Sequence, residues 1–298
     1  LPTGKPAALY RERAEQGTTK GMAKGFILCA DDFAMTEGVS RSILELLGLG
    51  KLSATGAMTN RPHWRRLAPE LAAFADRADL GLHLNLTCAA PITIMPRLAP
   101  EGTLPGLKDL ASAAASSSTV RAEIATEITR QIDAFEDAMG RAPDFVDGHQ
   151  HVHVLPGIRR TLLDILASRY PAGSLYVRDP ADRAAAIRAR GVAIGKALVI
   201  SGLATGFRAA ALKRQFHVNR GFSGVAPFDP KRDFGADLKR FLIQPGAIHL
   251  VMCHPGFVDE ELVRLDPVTE TRPVEHAALA AFTPPLEMPM RRFRELAG

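Results

Sequence analysis

Short apolar, β-branched runs alternate along this chain with longer stretches whose apolar residues recur every three or four positions. The first pattern marks strands and the second marks amphipathic helices, so their alternation predicts βα units around a mostly parallel sheet. Strands are expected at Phe26–Ala30, Leu52–Met58, Leu80–Leu86, Asp144–His149, Ser174–Val177 and Ala247–Cys253. Helices are expected at Glu37–Leu47, Trp64–Phe74, Val120–Met139, Ile158–Ala167 and Phe234–Leu242. In Val120–Met139 the residues Ile124, Ile128, Ile132 and Phe135 define one buried face. Residues 184 to 215, rich in Ala and Arg, read as further helices. Pro91 to Ser118 carries several Pro and Gly residues and ends in an Ala/Ser run from Ala111, so it reads as an insertion loop with a flexible tail. Because it follows the strand that carries His83, it is placed to act as a lid or substrate wall.

Composition narrows the class. With 298 residues, 46% hydrophobic and 23% charged, the chain is an ordinary globular protein rather than a disordered one. No internal repeat and no clean linker divide it, so a single domain over 25–298 is expected, with the polar residues 1–24 as a peripheral N-terminal extension. The longest apolar run, Ala193 to Ala204, is broken by Gly195 and Lys196 and falls short of the ~20 residues that cross a bilayer, so no membrane span is expected. A net charge of +5 raises the question of a nucleic-acid partner. The arginines are interleaved with Asp and Glu, which favours a solvated surface and no nucleic acid. Cys29, Cys88 and Cys253 are odd in number, far apart, and adjoin strand-like runs, so no disulfide framework is expected and a reducing cytoplasm fits best.

Four strand ends deliver residues suited to metal-assisted hydrolysis. The first strand finishes in Asp31 and Asp32, adjacent carboxylates that share one site only if the chain bends between them. The alternative reading is a cap for the helix that starts near Glu37. The third strand places His83 and Asn85 on one face and Leu82, Leu84 and Leu86 on the other. The fourth leads into Asp147-Gly148-His149-Gln150-His151-Val152-His153, where alternate residues would share a side of a strand. Pro156-Gly157 then starts a helix, so only the early part of the cluster is expected to be strand, and His149 and His153 would share a face if the chain turned sooner. The last strand ends in His254-Pro255-Gly256, with His254 placed to protonate a leaving group and His249 within the apolar core. An Asp-His-His set leaves metal positions open, which a catalytic site requires.

At Ala30-Asp31-Asp32-Phe33, Gly81-Leu82-His83, Asp147 to His153 and Cys253-His254-Pro255-Gly256 the chain resembles the YdjC-like carbohydrate deacetylases, over Phe26 to about Leu279. Thr271-Arg272-Pro273-Val274-Glu275 is similar to that family's Arg-x-x-Glu element. The resemblance implies an α/β fold, a distorted (β/α) barrel related to NodB-type deacetylases. It implies Asp32, His83 and His149 as ligands of one divalent metal, Zn²⁺ or Mg²⁺, with Asp31 as general base and His254 as general acid. Arg178, Asn85 and His153 are candidates for contact with substrate, Arg178 having a surface ion pair with Asp179 or Asp182 as its alternative. The implied substrate is an N-acetylated amino sugar in an oligosaccharide or glycolipid, and the implied assembly is a homodimer. The family usually has Gly after Asp-Asp-Phe; Ala34 stands there and would be strained if that position needs positive φ. It also often has three consecutive histidines where Gln150 interrupts the run. Two rivals remain at this level: a metal phosphoesterase that draws extra ligands from His151 and His153, and a non-catalytic sugar-binding module.

Overall fold

The computed structural model describes residues 25–297; the expected extension over 1–24 lies outside them. Eight strands form one sheet, in the order β6-β5-β4-β3-β2-β1-β8-β7, and every strand pair in it is parallel. They are β1 (Phe26–Phe33), β2 (Ala54–Ala57), β3 (Asp79–Leu84), β4 (Phe145–Gly148), β5 (Tyr176–Val177), β6 (His217–Val218), β7 (Phe222–Ser223) and β8 (His249–Cys253). The two edge strands, β6 and β7, are consecutive in sequence. Val218 and Phe222 are four residues apart and so at most about 14 Å apart. Eight flat strands would separate their edges by roughly 34 Å, so the sheet must curl on itself into the distorted barrel expected.

Helices cover the outside. Among them are α1 (Glu37–Gly48), α2 (Trp64–Ala72), α3 (Leu107–Ser116), α4 (Ser118–Met139), α5 (Arg159–Arg169), α6 (Ala184–Arg190), α7 (Ile194–Leu203) and α8 (Phe207–Lys213). Beyond them come α9 (Phe234–Phe241), α10 (Glu260–Leu265), α11 (Thr271–Ala281) and α12 (Phe293–Ala297). Helix α4 buries Ile124, Ile128, Ile132 and Phe135, as its periodicity predicts, and Ser117 caps it by accepting from the Val120 N–H.

Three expectations change. The tail of the supposed loop is not flexible coil: Ala111 to Ser116 belongs to α3, because an alanine run is the best of helix formers once Leu110 and Ala114 have a core to pack on. Residues 91–106 are tied down by α4, where Glu127 accepts from the Ile92 and Thr93 N–H groups and Glu123 from those of Arg97 and Leu98. Strands β6 and β7, two residues each, lie where no strand was expected. Finally, β4 ends at Gly148, and the histidine cluster itself forms a 3₁₀ turn over His149–Val154.

Candidate active site

The C-terminal ends of β1, β3, β4 and β8 open on one cavity of about 470 Å³, lined by Asp31, Asp32, His83, His149 and His254 among others. The bend that brings adjacent carboxylates together is a bulge. Ala30 pairs with Thr55 and Phe33 with Ala57, so three steps along β1 oppose two along β2. Asp32 takes a left-handed backbone (φ 71°), and Ala34 repeats it (φ 68°), its N–H donating to Ser40 Oγ at 2.9 Å. Ala34 therefore occupies the conformation for which glycine is the usual choice.

Asp32 stands at the centre. His149 Nδ1 lies 2.9 Å and His83 Nε2 3.3 Å from its Oδ1, and the donor atoms of all three residues fall within 4.8 Å of one another. Asp32 and His83 are oriented from behind. Arg272 donates to Asp32 Oδ2 at 2.8 Å and to Asp266 Oδ2 at 2.7 Å, leaving Oδ1 for the rings. Asp147 Oδ1 holds His83 Nδ1 at 2.7 Å, which turns Nε2 inward. Gly56 makes room for that pair, since a Cβ there would sit 3.1 Å from His83 Cβ. Burial opposes charge on His83, but Asp147, Asp31 and Asp32 outweigh it and raise its pKa to about 10. A field that favours positive charge at this ring, two inward imidazole nitrogens and one carboxylate oxygen fit a divalent transition metal, with carboxylate–histidine support of the kind such sites use.

Beside this set, Asp31 is gripped by Arg178, Nη1 to Oδ2 at 2.7 Å and Nη2 to Oδ1 at 2.6 Å. Arg178 Nη2 also lies 2.6 Å from Asp147 Oδ2, so one buried guanidinium links the two carboxylates. A second cluster of donor atoms, Cys29, Asp31 and Asp147, is thus already served by that cation. His254 faces the cavity with Nδ1 free of protein partners, and burial holds its pKa down at about 4. Its backbone N–H donates to Glu275 Oε2 at 2.6 Å; burial raises the Glu275 carboxyl to about 7. Phe228 packs edge-on against His254, and Lys196 lies over the Phe228 ring at 3.8 Å.

Three substrate candidates do not reach the cavity. Arg178 is fully buried beneath Asp31, neither at the surface with Asp179 nor against substrate. Asn85 shapes the turn after β3, accepting from the Thr87 and Cys88 N–H groups and donating to Asn60 Oδ1 and to the Cys88 carbonyl. His153 is buried with Nε2 against the Arg178 carbonyl at 2.8 Å, so it supports the backbone from which Arg178 projects. His151 does line the cavity, turned there by left-handed backbone at Gln150 (φ 52°) and His151 itself (φ 59°). Among the described residues neither His151 nor His153 joins a set of three donor atoms, so neither adds to the Asp32, His83 and His149 set. Sequence reasoning missed Lys196, Phe228 and Asp266; Arg272 stood in the Arg-x-x-Glu element, without a stated role.

A parallel barrel with an Asp-His-His set and two flanking titratable groups at its mouth defines a barrel protein with a candidate catalytic metal centre. Residues 25–283 match the family described as YdjC-like protein, and the chain belongs to that family. It is 30% identical over 248 residues to the chitooligosaccharide deacetylases of Yersinia pestis (strain Pestoides F) and Yersinia pseudotuberculosis (serotype O:1b, strain IP 31758), over 81% of this chain and 85% of each relative. The crystal structure of a proposed cellobiose-phosphate cleavage protein of Enterococcus faecalis V583 shares its fold, with a TM-score of 0.69 at 18% identity, over 92% of this chain and 99% of that one.

Proposed function

We propose that this protein is a metal-dependent deacetylase that removes the acetyl group from an N-acetylated amino sugar and releases acetate. One observation carries the reading: residues from four separate strand ends, Asp31, Asp32, His83, His149 and His254, converge on a single cavity. Binding alone needs neither a base nor an acid beside the ligand set, which argues against a sugar-binding module. When bound, a divalent ion at Asp32, His83 and His149 supplies Lewis-acid polarisation of the amide carbonyl and acidifies water. Asp31, fixed by Arg178, accepts the proton of the attacking water, and His254 donates a proton to the departing amine. Because the free His254 ring is held neutral, it must take up a proton within the cycle, and Asp31 is the group beside the reacting atoms that has gained one.

Beyond its polar groups the cavity has an apolar wall that includes Leu107, Val154, Val199, Ile200, Leu203 and Val268. That wall favours an amino sugar bearing an apolar aglycone, a glycolipid, over a plain oligosaccharide. Three buried free thiols fit a reducing cytoplasm. Acetate release from N-acetylglucosamine, chitooligosaccharides and N-acetylglucosaminyl lipids tests the reading, with Asp31→Asn and His149→Ala as controls. The expected result is turnover fastest with the lipid, loss of metal in His149→Ala, and loss of turnover with metal retained in Asp31→Asn. Full activity of metal-loaded Asp31→Asn would remove Asp31 from its role.

A further inference from the structure

Residues 183 to 214 contain seven Lys and Arg and no Asp or Glu, more positive charge than the net +5 of the whole chain. Whole-chain composition hides this, because the other segments mix their signs. Arg190, Arg208 and Arg214 pair with Asp182, Asp179 and Asp164 of neighbouring segments, and Lys196 turns to the cavity. Arg183, Arg188 and Lys213 are exposed, and among the described residues they form no ion pair.

Helix α7 lies in the middle of this segment, with the sequence IGKALVISGL and not one of its ten residues fully buried. Val199 is 64% exposed, Leu203 44% and Ile194 37%, and Leu212 of α8 is 54% exposed. A helix this apolar normally packs into a core, so its exposure marks a surface made for a partner. Val199, Ile200 and Leu203 also line the active cavity, so the exposed apolar residues Val199 and Leu203 belong both to the surface of α7 and to the site.

We infer that α7, with its flanking cations, docks on the surface of an anionic lipid bilayer. Apolar side chains enter the boundary between headgroups and acyl chains, while Arg183, Arg188 and Lys213 meet lipid phosphates. The charge decides for this partner over a second copy of the chain, since two copies would bring unpaired cations against unpaired cations. Docking would hold the cavity mouth at the depth where a glycolipid presents its sugar. It deepens the glycolipid reading, but it is measured without turnover, so the two stand or fall separately.

The test is co-sedimentation of the full chain with vesicles of phosphatidylcholine alone and of phosphatidylcholine with phosphatidylglycerol. Binding to the anionic vesicles alone, weakened by salt, is expected. Each cation at the surface strengthens partitioning by about fivefold, so Arg188→Glu with Lys213→Glu should weaken it by about 25-fold or more. Ile194→Asp should also weaken it, and acetate release from a water-soluble chitooligosaccharide by these variants should match the parent. Equal binding to both vesicle types, or none at low salt, would overturn the proposal. So would vesicle-blind protein in which Ile194→Asp converts a dimer to a monomer, because a second copy would then be the partner. Vesicle binding by a protein that ignores glycolipids would preserve docking and refute the substrate.

Discussion

Arg178 holds Asp31 at two points, one guanidinium nitrogen on each carboxylate oxygen at 2.7 and 2.6 Å, with both side chains buried. Two parallel charge-assisted hydrogen bonds fix the plane of the carboxylate as well as its position. The grip explains how a carboxylate on a bulged strand keeps one orientation.

Arg178→Lys preserves the charge but not the fork, so Asp31 should lose its orientation while the barrel stays folded. A fall in kcat of about 100-fold with KM little changed is expected from steady-state kinetics, on the scale that misplacing a reacting group costs. Arg178→Met, by contrast, leaves Asp31 and Asp147 buried without their cation. Urea denaturation should then show a loss of about 3–5 kcal/mol.

Asp147 never touches the cavity, yet it sets the His83 ring. Asp147→Asn should weaken zinc binding by about 10- to 100-fold in competition with a chromophoric chelator. Activity should return when metal is added in excess. An affinity equal to that of the parent would show that His83 is oriented by something else.

His249 in β8 predicts a pH dependence of stability. Burial, with the positive charge of Arg190, holds its ring down at about 4, and the neutral ring meets Ser223 Oγ at 2.9 Å. A depressed histidine stabilises the fold fully above its unfolded value of about 6.5. That contribution, on the order of 3 kcal/mol, is lost as pH falls towards 4, because the unfolded chain takes up the proton first. The stability difference between the parent and His249→Gln should therefore be largest at pH 7–8 and shrink towards pH 4.5 in parallel urea titrations. A difference constant across that range would refute the assignment.

Ala34 is strained by its left-handed backbone. Relief of about 1–2 kcal/mol in Ala34→Gly, set against about 0.5–1 kcal/mol of added chain entropy in the unfolded state, predicts a gain near 0.5 kcal/mol. Ala34→Val should cost more than about 2 kcal/mol, since a β-branched side chain in this region has no relaxed rotamer and the site is fully buried. Thermal denaturation of the two variants reads both signs.

The barrel was legible because its long elements carry their periodicity openly, as in the Ile124, Ile128, Ile132 and Phe135 face of α4. Strands β6 and β7 were not, because two residues hold no period and their pairing is decided by barrel closure. The residues that meet at the cavity were found because polar residues at the ends of apolar strands stand out. Their supports were harder to see. Arg272 is 240 positions from the Asp32 it holds, and Arg178 is 147 from Asp31, distances at which only the fold makes neighbours. Asn85 misled because strand alternation gives the face of a side chain but not the turn that follows, where its amide is consumed.

The clamps around the ligand set also fix an electrical balance. Four carboxylates, on Asp31, Asp32, Asp147 and Asp266, face two guanidinium groups, on Arg178 and Arg272, and once His83 sheds the proton that its raised pKa of about 10 otherwise keeps, the cluster is two charges from neutrality. An uncompensated double charge at such depth is costly. A doubly charged cation would close that gap; when it is stripped, His83 regains its proton and leaves one negative charge, so the barrel should soften only modestly. Zinc and magnesium meet the charge requirement equally, and the choice between them passes to the two imidazoles.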